Sequence, residues 1–163
     1  MDKRGLNGLQ MAWALSHHWR CQKLFSGIYA MDELKRVPKH AKIIIVNTDV
    51  STGKGIHWIL VEMKSVQQQI NIYDSLGLPW HCYSPLLIDF VTRRAQKIKL
   101  LKERTLPMNS SLCGYYCLYY AYRCSFDESM ELIERTTPSP QWIQQCVPIL
   151  FEIISKNCTY YCI

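Results

Sequence analysis

His57-Trp58-Ile59-Leu60-Val61-Glu62-Met63, a polar connector from Lys64 to Gln68, and Gln69-Ile70-Asn71-Ile72-Tyr73-Asp74 form the stretch from which the rest of the chain can be read. Both outer segments are rich in β-branched and aromatic residues, and the connector is short enough for a hairpin loop. Strands paired through that loop bring their far ends, His57 and Asp74, to the same edge of a sheet. Ser75-Leu76-Gly77-Leu78-Pro79 follows as the turn that stops the second strand.

Working outward toward the N-terminus, residues 48 to 55 read as a loop. Lys42-Ile43-Ile44-Ile45-Val46-Asn47 reads as a strand covered on both faces, because its apolar run does not alternate. Phe25-Ser26-Gly27-Ile28-Tyr29 is expected to be a turn. Leu6, Leu9, Trp13, Leu15 and Trp19 predict a helix within residues 5 to 24. In the other direction, a helix is expected over 84 to 96 after Ser84-Pro85, and a basic edge strand over Lys97 to Thr105, where lysines discourage pairing with other chains.

Leu112 to Cys124 is apolar around its whole circumference, as a buried helix is, with Asn109, Ser110 and Ser111 as cap candidates. Glu128 to Glu134 and Trp142 to Ile154 read as outer helices. The expected class is α+β: a mixed central β-sheet flanked by helices, in one domain over 1–163.

Composition narrows the function. With 48% hydrophobic and 12% aromatic residues in 163, the chain is neither disordered nor collagen-like. Its apolar runs fall short of the ~20 residues that cross a bilayer, and Met-Asp-Lys-Arg begins it without an apolar signal core. A soluble intracellular protein is expected, without a membrane partner. Eight cysteines then point to buried or reactive thiols rather than a disulfide framework. Cys113 with Cys117, and Cys158 with Cys162, are spaced as a zinc site could begin. They lack a Cys-x-x-Cys knuckle and nearby histidines, so no metal is assigned. The net charge of +6 concentrates in Arg93, Arg94, Lys97, Lys99, Lys102 and Arg104, opposed within that run by Glu103 alone. Such a run is a solvated face or, alternatively, a DNA-binding surface.

Three residues suit a nucleophilic mechanism. Cys113 starts the buried helix, where the dipole favours a thiolate; a histidine beside it lowers the thiol pKa further; and a carboxylate on the second ring nitrogen fixes the tautomer. Gly114 leaves room for a substrate backbone. Taken singly, each residue has a plainer reading: His57 as a hydrogen-bonded strand residue, Asp74 as the start of a turn, and Cys113 as packing. Their combination favours the chemical one.

Gly55-Ile56-His57-Trp58, Tyr73-Asp74-Ser75-Leu76-Gly77 and Asn109-Ser110-Ser111-Leu112-Cys113-Gly114-Tyr115-Tyr116-Cys117 closely resemble the adenovirus protease (adenain) family. That family includes enzymes of DNA viruses and of virus-like Maverick/Polinton transposons, and it shares its fold with the ubiquitin-like-protein proteases. Phe25 to Leu34 and Ile45 to Asp49 match as well, so the resemblance covers about 25–124. It implies a cysteine endopeptidase with Cys113 as nucleophile, His57 as general base and Asp74 as its orienting carboxylate. Trp58 would pack beside the histidine, and the Cys113 N–H would supply part of the oxyanion hole.

The resemblance further implies virion precursor polypeptides as substrates, stimulation by DNA or a viral peptide, and a place in the host nucleus or virion; a monomer with no required cofactor is expected. A protease of ubiquitin-like modifiers and a catalytically impaired capsid- or DNA-binding homologue stand as alternatives. Two departures bear on these. Leu106 occupies the position of the family's oxyanion-hole glutamine, with Asn109 as a substitute donor, and no cysteine between Cys82 and Cys113 could carry a disulfide-linked peptide.

Overall fold

The computed structural model describes residues 5–153. Its elements in chain order are α1 (Gly8–His17), β1 (Phe25–Ala30), β2 (Ile43–Asn47), β3 (Trp58–Lys64), β4 (Gln69–Tyr73), α2 (Pro85–Thr92), β5 (Lys97–Leu100), α3 (Cys113–Cys124), α4 (Met130–Arg135) and α5 (Pro140–Leu150). The strands form one mixed sheet in the order β1-β2-β3-β4-β5. The outer pairs, β1 with β2 and β4 with β5, are parallel; the inner pairs are antiparallel. This is the α+β sheet flanked by helices that the patterning predicts.

Each face of the sheet buries its own core. Along β2, Ile43 and Ile45 point into the layer formed by α1, α3, α4 and α5, while Ile44 and Val46 point into the layer formed by α2 and the 3-10 segment Met31–Arg36. Apolar cover on both sides explains why that strand reads as a continuous run rather than an alternation. α3 lies at the centre of the first layer, with Tyr116, Cys117, Leu118 and Tyr120 almost wholly inaccessible to solvent. Rings of Tyr73 and Tyr120, 5.3 Å apart, tie it to β4.

The structure changes several expectations. Phe25–Ala30 is not a turn but β1, hydrogen-bonded in parallel to β2 with a register irregularity between Phe25 and Ile28. Gly27 permits that irregularity. Its φ of +126° is open mainly to glycine, and a Cβ there would lie 3.0 Å from the Tyr29 ring. The N-terminal helix is shorter than 5 to 24, closed by a capping box between Asn7 and Gln10. β5 ends at Leu100, and α2 ends at Thr92. Of the last helix, Ile154 lies outside the described residues, and the helix itself stops at Leu150.

The cap expectation for the buried helix fails. Leu112 occupies the N-cap of α3 and no side chain caps it; Ser110 Oγ accepts from the Leu112 N–H instead. The first-turn N–H groups therefore remain available to another acceptor.

Candidate active site

β3 and β4 pair with Lys64 opposite Gln69 and Leu60 opposite Tyr73, closing the hairpin around Ser65 to Gln68. His57 precedes β3 and Asp74 follows β4, so both emerge at the open end. His57 Nε2 lies 2.6 Å from Asp74 Oδ1. An ionised carboxylate only accepts, so Nε2 carries the proton and the other ring nitrogen is left to face the thiol.

Asp74 is completely buried and fully engaged. Oδ1 also accepts from the Leu76 N–H at 2.8 Å, and Oδ2 accepts from the Tyr83 hydroxyl at 2.9 Å. Burial alone would raise its pKa; the bond to His57, with the Leu76 and Tyr83 donors, outweighs it and keeps the carboxyl below its ordinary value. Tyr83 was missed from sequence. Its only signal is that a buried carboxylate has more lone pairs than one imidazole can satisfy.

Cys113 is the first residue of α3, buried and within electrostatic reach of His57. Burial pushes the thiol pKa up, but the His57 hydrogen bond and the Trp58 and Gly114 backbone N–H groups bring it below the ordinary thiol value. The Gly114 donor is one of those N–H groups that no cap engages. For His57 the balance runs the other way: burial opposes the charged ring, while bonds to Asp74 and Cys113 raise its pKa to about 9. The two shifts run in opposite directions, toward a charged thiol and a charged ring.

Three other buried cysteines have a different setting. Burial pushes Cys21 up to about 12 and drives Cys117 and Cys124 well above the usual thiol value. Among the described residues no three His, Cys, Asp or Glu side chains cluster as a metal site requires, and Cys158 and Cys162 lie outside the described residues.

Trp58 is half-buried, its indole against the N-terminal segment; a Cβ on Gly8 would lie 3.5 Å from the ring. Gly114 is where expected, but its missing side chain serves packing. A Cβ there would meet Leu6 Cβ and Met11 Sδ at 3.1 Å, so residues preceding and within α1 fill the space assigned to substrate. Leu106 is buried in the core, held by its N–H to the Ser75 carbonyl, and offers no side-chain donor. Asn109 is exposed in the loop before α3, and its side chain bonds no described residue.

The basic run is dispersed. Arg93 pairs with Asp89, Lys99 with Glu131 across to α4, Arg104 Nε donates to the Leu106 carbonyl, and Arg94 donates to the carbonyls of Val37 and Pro38. Lys97 and Lys102 are exposed.

No family model matches the sequence, and no curated protein matches it. Solved structures do match. ASFV pS273R protease superimposes with a TM-score of 0.62 at 14% identity, covering 92% of this chain and 68% of that one. The SUMO protease Ulp1 with its catalytic cysteine oxidised to a sulfonic acid gives 0.60 at 11%, covering 93% and 78%. The Ulp1 protease domain in complex with Smt3, the yeast ortholog of SUMO, gives 0.58 at 14%, covering 93% and 76%. The chain has the fold of the adenain- and Ulp1-like cysteine proteases. Within that Ulp1-like fold, the buried helix begins at Cys113 and the central hairpin opens onto it.

Proposed function

We propose that the protein is a cysteine endopeptidase with Cys113 as nucleophile, His57 as acid and base, and Asp74 as the group that orients His57. The observation that carries this reading is the 2.6 Å bond from His57 to a buried aspartate, with Cys113 at the start of the buried helix and its thiol pKa lowered by His57. The Cys113 thiolate attacks the scissile carbonyl carbon, forming a C–S bond and an oxyanion. His57 gives its proton to the departing amine as the C–N bond breaks, leaving a thioester. Water, deprotonated by His57, then releases the acid product and restores the thiol.

The backbone N–H of Cys113 is the donor proposed for the oxyanion. Leu106 supplies none, and a missing donor of this kind costs about 2.7–4 kcal/mol of transition-state stabilisation. A slow enzyme is therefore expected unless the substrate itself brings Asn109 inward. Polypeptides with glycine near the cleaved bond, such as virion precursors, are the proposed substrates. Hydrolysis of a glycine-containing peptide panel by the native chain and by Cys113→Ala tests the proposal. Loss of cleavage in the variant supports it, and equal rates overturn it.

The comparable likeness to Ulp1 favours a second reading, in which the polypeptide cleaved is a ubiquitin-like modifier. A modifier bearing a C-terminal electrophile would then label Cys113 covalently, whereas under the first reading only the short peptides would be turned over. The impaired-homologue alternative predicts neither outcome.

A further inference from the structure

The hairpin that carries His57 and Asp74 has a second end. Where β3 leaves the sheet and β4 enters it, Lys64, Ser65 and Gln68 line a cavity of about 300 Å³ together with Lys39, Arg93 and Arg94. The cations come from three separate segments: the loop before β2, the end of β3 and the end of α2. No carboxylate lines the cavity. Asp89 touches Arg93 at 2.7 Å, and Glu62 and Asp127 touch Lys64 at 3.6 and 3.1 Å, all from outside the lining. Lys39 and Arg94 have no carboxylate partner among the described residues.

Arg94 is the most informative of the four. Its Nη1 and Nη2 donate to the carbonyls of Pro38 at 2.8 Å and Val37 at 2.5 Å, and its guanidinium lies 4.6 Å from the centre of the Phe90 ring. These contacts fix the plane of the group without cancelling its charge. A guanidinium has five N–H donors, so those not held by the carbonyls stay available to a ligand. A fixed fork of this kind suits a phosphate oxygen pair, and Lys39 adds a mobile point charge at the rim.

We infer that this cavity binds a compact polyphosphate anion. Four cations around one concavity match several adjoining phosphates better than a single one. The shape also argues against a nucleic-acid track. Of the basic run from Arg93 to Arg104, only the first two residues reach the cavity. Lys99 is turned to Glu131 on α4, and Arg104 is bonded to the Leu106 carbonyl. Lys39 and Lys64, which complete the cup, lie far from that run in sequence. β3 spans about 20 Å at ~3.3 Å per residue, so the site is remote from His57 and its occupancy is independent of the protease proposal.

Calorimetric titration of the full chain with sodium tripolyphosphate in low-salt buffer tests the site. One saturable event is expected, weakening as salt is added. Lys39→Glu should lower the affinity about tenfold or more, since it reverses a charge at the rim of the cavity. Arg94→Lys, which keeps the charge and loses the fork, should fall between the two, and Lys102→Glu should match the native chain. Lys39 is exposed, so its variant keeps the test decisive if Arg94 variants fold poorly. Absence of saturable binding, or equal affinity in Lys39→Glu, overturns the inference. So does a single-stranded oligodeoxynucleotide that tripolyphosphate fails to displace and that Lys102→Glu weakens.

Discussion

Cys113 and Cys117 stand one turn apart on the same helix and share a residue type and a core, both buried and Cys117 the more deeply, yet their thiol pKa values move in opposite directions. Cys113 occupies the first turn, where uncapped N–H groups, the Trp58 N–H and an imidazolium all stabilise negative charge. Cys117 looks into the tyrosine-lined core, where burial dominates and the nearest charges, on Cys113 and Asp74, are negative. Burial raises both thiol pKa values, and it is overcome only at Cys113. What lowers its pKa is the number of donors that replace the lost water, and α3 supplies them only at its start.

The sharpest way to break this contrast is to exchange the thiols' fates. Cys113→Ala should abolish peptide hydrolysis, while Cys117→Ala should leave it within a few-fold. If the second variant is as dead as the first, the assignment fails.

Next in size is Asp74→Asn. An amide can hold His57 in place yet favours the wrong tautomer, so kcat should drop by about 10³–10⁴-fold. Its stability effect has a definite sign. The raised His57 pKa stabilises the fold fully below the ordinary imidazole value, and that contribution fades as pH rises through about 9. The stability gap between the native chain and Asp74→Asn in urea titrations should therefore narrow as pH rises through that value. A gap that stays constant from pH 6 to 10 would show that the ion pair is not its source.

Selective alkylation sharpens the comparison without needing a substrate. Iodoacetamide should modify Cys113 at pH values well below those at which an ordinary thiol reacts, and His57→Ala should remove that advantage, with mass mapping of the labelled thiols as the readout. Cys82 is exposed and serves as the internal reference.

Smaller effects are expected from the supports. Tyr83→Phe removes one of the donors to Asp74 and should cost about 1–3 kcal/mol in urea unfolding, with a several-fold loss of kcat. Gly114→Ala should cost about 1–3 kcal/mol through overlap with Leu6 and Met11. An unchanged midpoint would mean that the N-terminal segment yields easily, returning that space to the substrate.

Much of the fold was legible because the inner strands and α3 carry their signal locally. Ile43–Asn47 is apolar on both faces, Trp58–Lys64 and Gln69–Tyr73 are bounded by a short polar turn, and the tyrosines of α3 surround its axis. β1 was hidden for the opposite reason. Ser26 and Gly27 suppress strand propensity, every residue of that strand is only half-buried, and its partner lies beyond the intervening Met31–Arg36 segment. At the site, the positions of His57, Asp74 and Cys113 followed from which elements end where. Tyr83, the filled space at Gly114 and the cup around Arg94 did not, because each depends on side chains meeting across elements with no pattern linking them.

The hairpin joining His57 to Asp74 also predicts an order of events in folding. Its contacts are local, so loop closure costs little and the two residues can meet early in folding. Cys113 reaches them only when α3 docks on the sheet from far along the chain. Before α3 docks, its thiol lacks the His57 and Trp58 N–H contacts that lower its pKa, so in a nascent or partly folded chain Cys113 is expected to react no faster than the other thiols.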